Sequence, residues 1–286
     1  MPANQENSII ENPNQLNLVE VAKYNRTIKA SPERIWENVK DWEHLPHLHS
    51  NNFDYAELDE VDTWGWRIWT DKAHLSHVEL CYDETHNQYV ARSYQGKRQV
   101  SEIWTKVEGD PSIRTDATEI EVRFLLPDIK PEKVEGLGDL FLNLYSTLWD
   151  EDEDMMTERQ TQLDLQQEST SLEISLGSVV ALKESLPRCY RLKKGLYRVY
   201  EDDGDLKVHS AICPHNLGPL TADISDNTVT CPWHGYTFNI INGQCISPQE
   251  TNCKLGKAPN IIYCSEGESD SNINPKHDAE VFLSFL

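Results

Sequence analysis

The chain has 286 residues, 38% of them hydrophobic, and 48 acidic against 26 basic side chains give a formal net charge of -22. That length suits two domains. The charge repels phosphate backbones, which excludes nucleic acid as a favoured partner and leaves a basic protein as the better match. No apolar run approaches the roughly eighteen residues that a membrane-spanning helix needs.

The opening stretch, residues 1–17, lacks a basic segment followed by an apolar one, so it reads as a disordered tail and not as a signal peptide. Seven cysteines without an export signal point to a reducing, cytoplasmic setting, with cysteines serving as metal ligands or buried thiols. A first globular region is expected over residues 18–164. It begins with an extended segment, Val19 to Lys29. A helix start follows, with Ser31 as N-cap, Pro32 in the first turn and Glu33 beside it. Strand-like segments come next, among them Tyr89–Tyr94, Glu102–Val107 and Ala117–Leu126. A long helix, about Leu137 to Asp164, closes the region, and the set predicts an α+β domain. Residues 165–171 read as a linker. The second region, 172–286, alternates short β-rich segments with turns, including the hairpin signals Asp203-Gly204 and Asn242-Gly243. It is predicted to be all-β, with a polar surface loop from Ser265 to Asp278.

The second region carries the sharper chemical signal. Cys213-Pro-His215 is followed, after fifteen intervening residues, by Cys231-Pro-Trp-His234-Gly235. Each loop offers one thiolate and one imidazole. A [2Fe–2S] centre with two cysteines on one iron and two histidines on the other needs that set. Structural zinc sites more often pair like with like, C-x-x-C with H-x-x-H. The interleaved order is that of Rieske centres, and residues 172–286 resemble the Rieske family, with CPHNLGPL and CPWHGYTFNIINGQC as the two ligand loops. Gly218 sits one position later than the family's usual glycine. Leu217 and Trp233 stand near the places where high-potential members carry an extra cysteine pair, so the resemblance implies the lower-potential type of ferredoxins and oxygenases. Cys81, Cys189, Cys245, Cys253 and Cys264 read as ordinary thiols, and His74, His77, His86, His209 and His277 as structural or surface residues.

The early helix holds a second cluster, Asp41-Trp-Glu-His44-Leu-Pro-His47-Leu-His49. Two imidazoles and one carboxylate form the facial triad of non-haem Fe(II) oxygenases and leave positions open for O₂ and substrate. Spacing does not choose the pair. His44 and His49 would point about 140° apart on a regular helix; His44 and His47 share a face; and Pro46 calls for a kink. The segment ENVKDWEHLPHLH resembles the iron-binding helix of Rieske non-haem iron ring-hydroxylating oxygenases. That resemblance implies His44 and His49 as iron ligands and a supporting role for Asp41. It makes His47 variable, and it implies a helix-grip catalytic domain, a curved antiparallel sheet around a cavity with a long C-terminal helix. The carboxylate ligand would lie on that helix. At about 100° per residue, Asp152 falls on the apolar face with Phe141, Leu148 and Met155, where a carboxylate is costly without a cation. Glu153 and Asp154 stay open as alternatives.

The domain order is the reverse of that family's usual one. The resemblance implies a homo-oligomer, often a trimeric ring, in which Asp41 links a cluster histidine to His44. It also implies an organic, hydrophobic or aromatic substrate with O₂, and an external reductase or ferredoxin. No dinucleotide-binding glycine motif is present, which agrees with a separate reductase. Two functions are compatible with these features. One is an oxygenase using a [2Fe–2S] cluster and a mononuclear Fe(II). The other is a Rieske electron-transfer protein fused to a helix-grip ligand-binding domain without the iron.

Overall fold

The computed structural model describes residues 16–167, 171–193, 195–249, 251–264 and 279–286. Residues 1–15 of the expected N-terminal tail, the whole 265–278 loop with His277, and linker residues 168–170 lie outside the described residues. The chain divides into two compact units, Met1–Thr157 and Glu158–Leu286.

The first unit opens with β1 (Leu18–Ile28), followed by α1 (Pro32–Lys40) and the one-turn α2 (Leu45–Leu48). Six strands follow: β2 (Glu57–Asp62), β3 (Gly65–Trp69), β4 (Ser76–Asp83), β5 (Gln88–Gln95), β6 (Arg98–Val107) and β7 (Thr118–Pro127). They form one antiparallel sheet in the order β1-β7-β6-β5-β4-β3-β2. Helix α3 (Val134–Gln167) then packs on it. Alternation decides which face is inside: along β7, Ile120, Val122, Phe124 and Leu126 are buried, while Glu119 and Arg123 are exposed. From α3, Phe141, Tyr145, Trp149 and Met156 meet this face. The Phe124 ring lies 5.4 Å from Phe141 and 4.8 Å from Tyr145. Gly138 lets α3 approach β1 closely, because a Cβ there would stand 2.5 Å from the Val21 carbonyl oxygen. This is the helix-grip arrangement. Helix α3 runs three residues into the expected linker, through Gln167, because Leu165-Gln-Gln contains no helix breaker.

The second unit contains β8 (Glu173–Ser178), α4 (Val179–Lys183), β9 (Arg188–Leu192), β10 (Gly195–Asp202), β11 (Asp205–Ser210), β12 (Thr228–Thr230), β13 (Thr237–Asn239), β14 (Cys245–Ser247), β15 (Asn260–Cys264) and β16 (Glu280–Ser284). They form three three-stranded sheets, β11-β10-β9, β12-β13-β14 and β15-β16-β8. Asp203 and Gly204 both take positive φ and join β10 to β11 as the expected tight hairpin. The region is a β domain, as expected, with one short helical turn at α4. Ser178 caps α4 by accepting from Ala181 N–H at 3.3 Å, and Val179 and Leu182 bury its apolar side.

The first sheet also buries an ion pair. Arg92 and Glu102 are cross-strand partners on β5 and β6, and the Arg92 Nε donates to Glu102 Oε2 at 3.0 Å. The same carboxylate accepts from Gln99 Nε2 at 3.0 Å and from Trp104 Nε1 at 2.8 Å. Removing one member of such a network strands the other charge. Glu102→Ala is expected to destabilise the first unit by about 3–5 kcal/mol, measured as an early unfolding transition in denaturant. Glu102→Gln, which keeps most hydrogen bonds, should cost less.

Candidate functional site

The histidine segment is not one kinked helix. Helix α1 ends at Lys40, with Asp41 extended at its C-cap (φ -94°, ψ 99°). His44 then stands as the N-cap of α2 and His49 as its C-cap. Pro46 falls in the first turn of α2, where its missing N–H costs no hydrogen bond. The break, not a bend, turns both imidazoles the same way. Their ring centres are 5.1 Å apart.

They converge on α3. His49 Nε2 lies 3.1 Å and His44 Nε2 3.5 Å from the same oxygen, Oδ1 of Asp152. His44, His49 and Asp152 can each offer one ligand atom, all within 4.8 Å of one another. For ligand bonds of about 2.1 Å, two neighbouring ligand atoms at right angles sit about 3 Å apart, so this donor set fits one face of an octahedral cation. All three residues are buried. Burial disfavours the charged His49 ring, but hydrogen bonds and charge from Asp152 and Glu151 outweigh it and raise its pKa.

Two neighbouring acidic residues of α3 are engaged elsewhere. Glu153 pairs with Arg26 at 3.1 Å, and Asp150 with the same guanidinium at 2.6 Å. Asp154 is exposed, as is His47. Asp41 Oδ1 accepts from Glu43 N–H at 3.1 Å, and its Oδ2 lies 3.8 Å from His44 Nδ1. Glu151 is the residue that the sequence did not single out: its Oε2 is 2.6 Å from His49 Nδ1. A donor bond there places a proton on Nδ1 and leaves Nε2 facing Asp152, where it donates to Oδ1 when the ring is protonated and offers its lone pair when a cation sits between them. The signal was available, since a ligating imidazole needs an acceptor for its other nitrogen, but the acidic run offered several candidates.

A cavity of about 150 Å³ adjoins these residues. Trp66, Val78, Leu80 and Ile103 of the sheet form much of its wall, with Tyr89 on the sheet and Tyr145 on α3. Burial pushes both phenols well above their usual range, so they stay protonated. No lysine or arginine lines it among the described residues.

In the second unit the two loops are built alike. Cys213 N–H donates to Gly218 C=O at 2.8 Å, and Leu217 N–H to Cys213 C=O at 3.0 Å. Cys231 N–H donates to Tyr236 C=O at 2.8 Å, and Gly235 N–H to Cys231 C=O at 3.0 Å. The residue four after each cysteine takes positive φ, Leu217 at 63° and Gly235 at 68°. Leu217 therefore occupies the left-handed position that glycine fills in the second loop. Gly218 serves another need: a Cβ there would lie 2.8 Å from Cys231 Sγ and from the Trp233 ring.

Both cysteines are buried, as is His234, and His215 is half-buried. The imidazoles of His215 and His234 are 4.6 Å apart, and the Tyr236 ring stacks on His215 at 4.1 Å. The Cys213 thiol donates to the Cys231 sulfur. That bond holds Cys231 down to about 7, helped by the N–H groups of Trp233 and His234, while it pushes Cys213 up. The structure thus gathers Cys213, His215, Cys231 and His234 by paired loops, with buried thiols facing each other, and this donor set fits a two-cysteine, two-histidine cluster. Among the other histidines, His74 stacks on Trp69, His77 stacks on Tyr94, His86 pairs with Asp83 and His209 is buried against Ser210 C=O.

Residues 174–259 match the family model of the Rieske [2Fe-2S] domain, so the chain carries a Rieske [2Fe–2S] domain in its C-terminal part. No curated protein matches the chain by sequence. Among solved structures it is similar to the ZhuI aromatase/cyclase from Streptomyces sp. R1128, with 10% identity over 50% of this chain and 95% of that one and a TM-score of 0.38. It is also similar to NdmA of Pseudomonas putida CBB5, solved as a QL mutant with caffeine, at 15% identity over 55% of this chain and 44% of that one, TM-score 0.35. NdmB of the same organism is 15% identical over 52% and 43%, TM-score 0.34. The chain spans less than half the length of NdmA and NdmB. No described helix is long and apolar enough to cross a membrane.

Gly218→Ala tests the loop packing. The added methyl crowds Cys231 Sγ and Trp233, an overpacking worth about 1–3 kcal/mol. The expected outcome is a several-fold lower content of iron and acid-labile sulfide, read with the visible absorption of the purified protein.

Proposed function

We propose that the chain is a Rieske-type oxygenase component, with its cluster on Cys213, His215, Cys231 and His234 and a mononuclear Fe(II) on His44, His49 and Asp152. The observation that carries this reading is the convergence of both Nε2 atoms on one buried Asp152 oxygen, beside a cavity and in a chain that also carries a Rieske domain. When bound, such an iron supplies O₂ activation and the cluster supplies an electron, which together insert oxygen into an organic substrate.

The protein's own residues do the rest. Asp152 contributes charge and one ligand atom. Glu151 holds the His49 ring by accepting from Nδ1, and Asp41 orients His44 from its Nδ1 side. The backbone N–H groups of His215 and Asn216 on Cys213, and of Trp233 and His234 on Cys231, stabilise thiolate charge. The largely apolar cavity wall favours a small, uncharged substrate, because no lysine or arginine lines it to pair with a substrate anion. The acidic surface suits a basic reductase or ferredoxin as electron donor.

Iron analysis after anaerobic purification tests the proposal. Three irons per chain are expected, two with acid-labile sulfide and one without. His44→Ala, His49→Ala and Asp152→Ala should each remove the sulfide-independent iron and abolish turnover, while the cluster's absorption and EPR signal survive. Cys213→Ser and His234→Ala should abolish the cluster signal. Asp154→Ala should change neither. Glu151→Ala should weaken the mononuclear iron by about 10–100-fold. Full sulfide-independent iron in Asp152→Ala, or two irons in the unaltered protein, would leave the fused electron-transfer reading in its place.

A further inference from the structure

Five cysteines lie outside the ligand loops: Cys81, Cys189, Cys245, Cys253 and Cys264. Two of them lie near each other beside an antiparallel bridge, with the Cys245 thiol donating to Ser247 C=O at 3.2 Å. Gln244 and Lys254 form an antiparallel bridge, and Leu255 N–H donates to Gly243 C=O at 2.9 Å. The same register, advanced by one residue on each chain, sets Cys245 opposite Cys253. Opposed residues of antiparallel chains have Cα atoms about 4.5–5.5 Å apart, within the roughly 4.4–6.8 Å that a disulfide spans. Proximity shows electrostatically as well: burial raises the pKa of the Cys245 thiol, and the neighbouring Cys253 raises it further. Both side chains are half-buried, open to a small oxidant.

We propose that Cys245 and Cys253 are a modification site, forming a reversible intramolecular disulfide when the protein meets a hydroperoxide. One thiolate takes the terminal oxygen of the peroxide, giving a sulfenic acid and, from hydrogen peroxide, water. The second thiolate displaces hydroxide from that sulfur, and the hydroxide leaves as a second water. Two thiols are oxidised by two electrons, and one peroxide is reduced by two.

The position gives the bond a consequence. Cys245 pairs with Phe238 across β13 and β14, and β13 follows directly on the second ligand loop, whose Cys231 N–H is tied to Tyr236 C=O. A disulfide fastens the far side of that small sheet to the returning chain at Cys253. The oxidised form therefore holds the strand behind the second loop more firmly than the dithiol does.

The holoprotein treated with graded hydrogen peroxide, alkylated, digested without reductant and read by mass spectrometry tests the site. One cross-linked pair of peptides, Cys245 to Cys253, is expected, reversed by dithiothreitol and absent from Cys245→Ser. Single alkylation of both cysteines at peroxide levels that oxidise other thiols would overturn the proposal. So would links to Cys189 or Cys264 in their place, or direct passage to sulfinic acid. A second measurement uses diamide as the thiol oxidant, which spares the cluster from peroxide, and follows bleaching by an iron chelator. Diamide should slow bleaching several-fold in the unaltered protein and not in Cys253→Ser. Equal rates in the two proteins would overturn the fastening effect.

Discussion

Asp152 is a carboxylate on the apolar side of α3, with Trp149, Met155 and Met156 buried around it. An ionised group in that position is expensive unless a cation meets it, and the rest of the first unit is arranged around that demand. Arg26, which faces the neighbouring acidic residues of α3, is already shared by Asp150 and Glu153. What remains for Asp152 are two imidazoles, His44 and His49, each presenting Nε2. The break between α1 and α2 is what brings them there. A continuous helix over the same residues would leave one ring pointing away. Glu151 completes the device, because an acceptor on Nδ1 of His49 fixes which nitrogen faces inward. The charge balance of the pocket thus calls for a proton on His49 or a metal between the three groups, and the two compete for the same lone pair.

The second unit solves a similar problem by repetition. Each ligand loop is closed by the same two main-chain bonds around its cysteine, and each turns through a left-handed residue four positions later. Backbone hydrogen bonding, not side-chain packing, sets where the sulfurs point. Leu217 shows the strength of that frame: a branched side chain sits in a conformation that costs an L-residue about 1–2 kcal/mol, and the loop keeps it. The glycine was needed next door, where Gly218 passes over Cys231 Sγ and Trp233.

How far the sequence disclosed this depends on what each residue's signal encodes. The interleaved Cys/His spacing marks the Rieske loops because local chemistry and local spacing coincide there. Ser31, Pro32 and Glu33 announce α1 for the same reason, since capping is decided within four residues. Helical periodicity placed Asp152 on the inner face of α3, which agrees with its burial. The choice between His47 and His49 was not legible from spacing, because it depends on where α1 stops, and the extended Asp41 gives no strong sequence sign of that. Glu151, Arg26 and Tyr236 were missed because their partners lie far along the chain or across a loop. The register between Gln244 and Lys254 was equally silent, since no alternating pattern marks a two-residue bridge. The α4 turn escaped because five residues carry too little periodicity to stand out from a strand.

The cavity assigns different work to helices and sheet. Every carboxylate and imidazole lining it comes from the helical segments: Asp41, His44 and His49 around α1 and α2, and Asp152 on α3. The sheet contributes Trp66, Val78, Leu80, Ala91 and Ile103, with only Tyr89 and Ser93 as polar groups. A bound molecule is therefore gripped by its apolar part against the sheet and meets charge only on the helical side. Its orientation follows from the cost of the reverse pose, which would desolvate the carboxylate against hydrocarbon and leave polar ligand atoms facing Ile103 and Leu80 without partners. A volume of about 150 Å³ leaves room for little more than one ring beside a metal, so selection by size and selection by polarity act on the same few atoms. Enlarging the sheet side, as Ile103→Ala would do, relaxes the first without touching the second. Larger apolar molecules should then bind, while the preference for uncharged over anionic ones stays as it was.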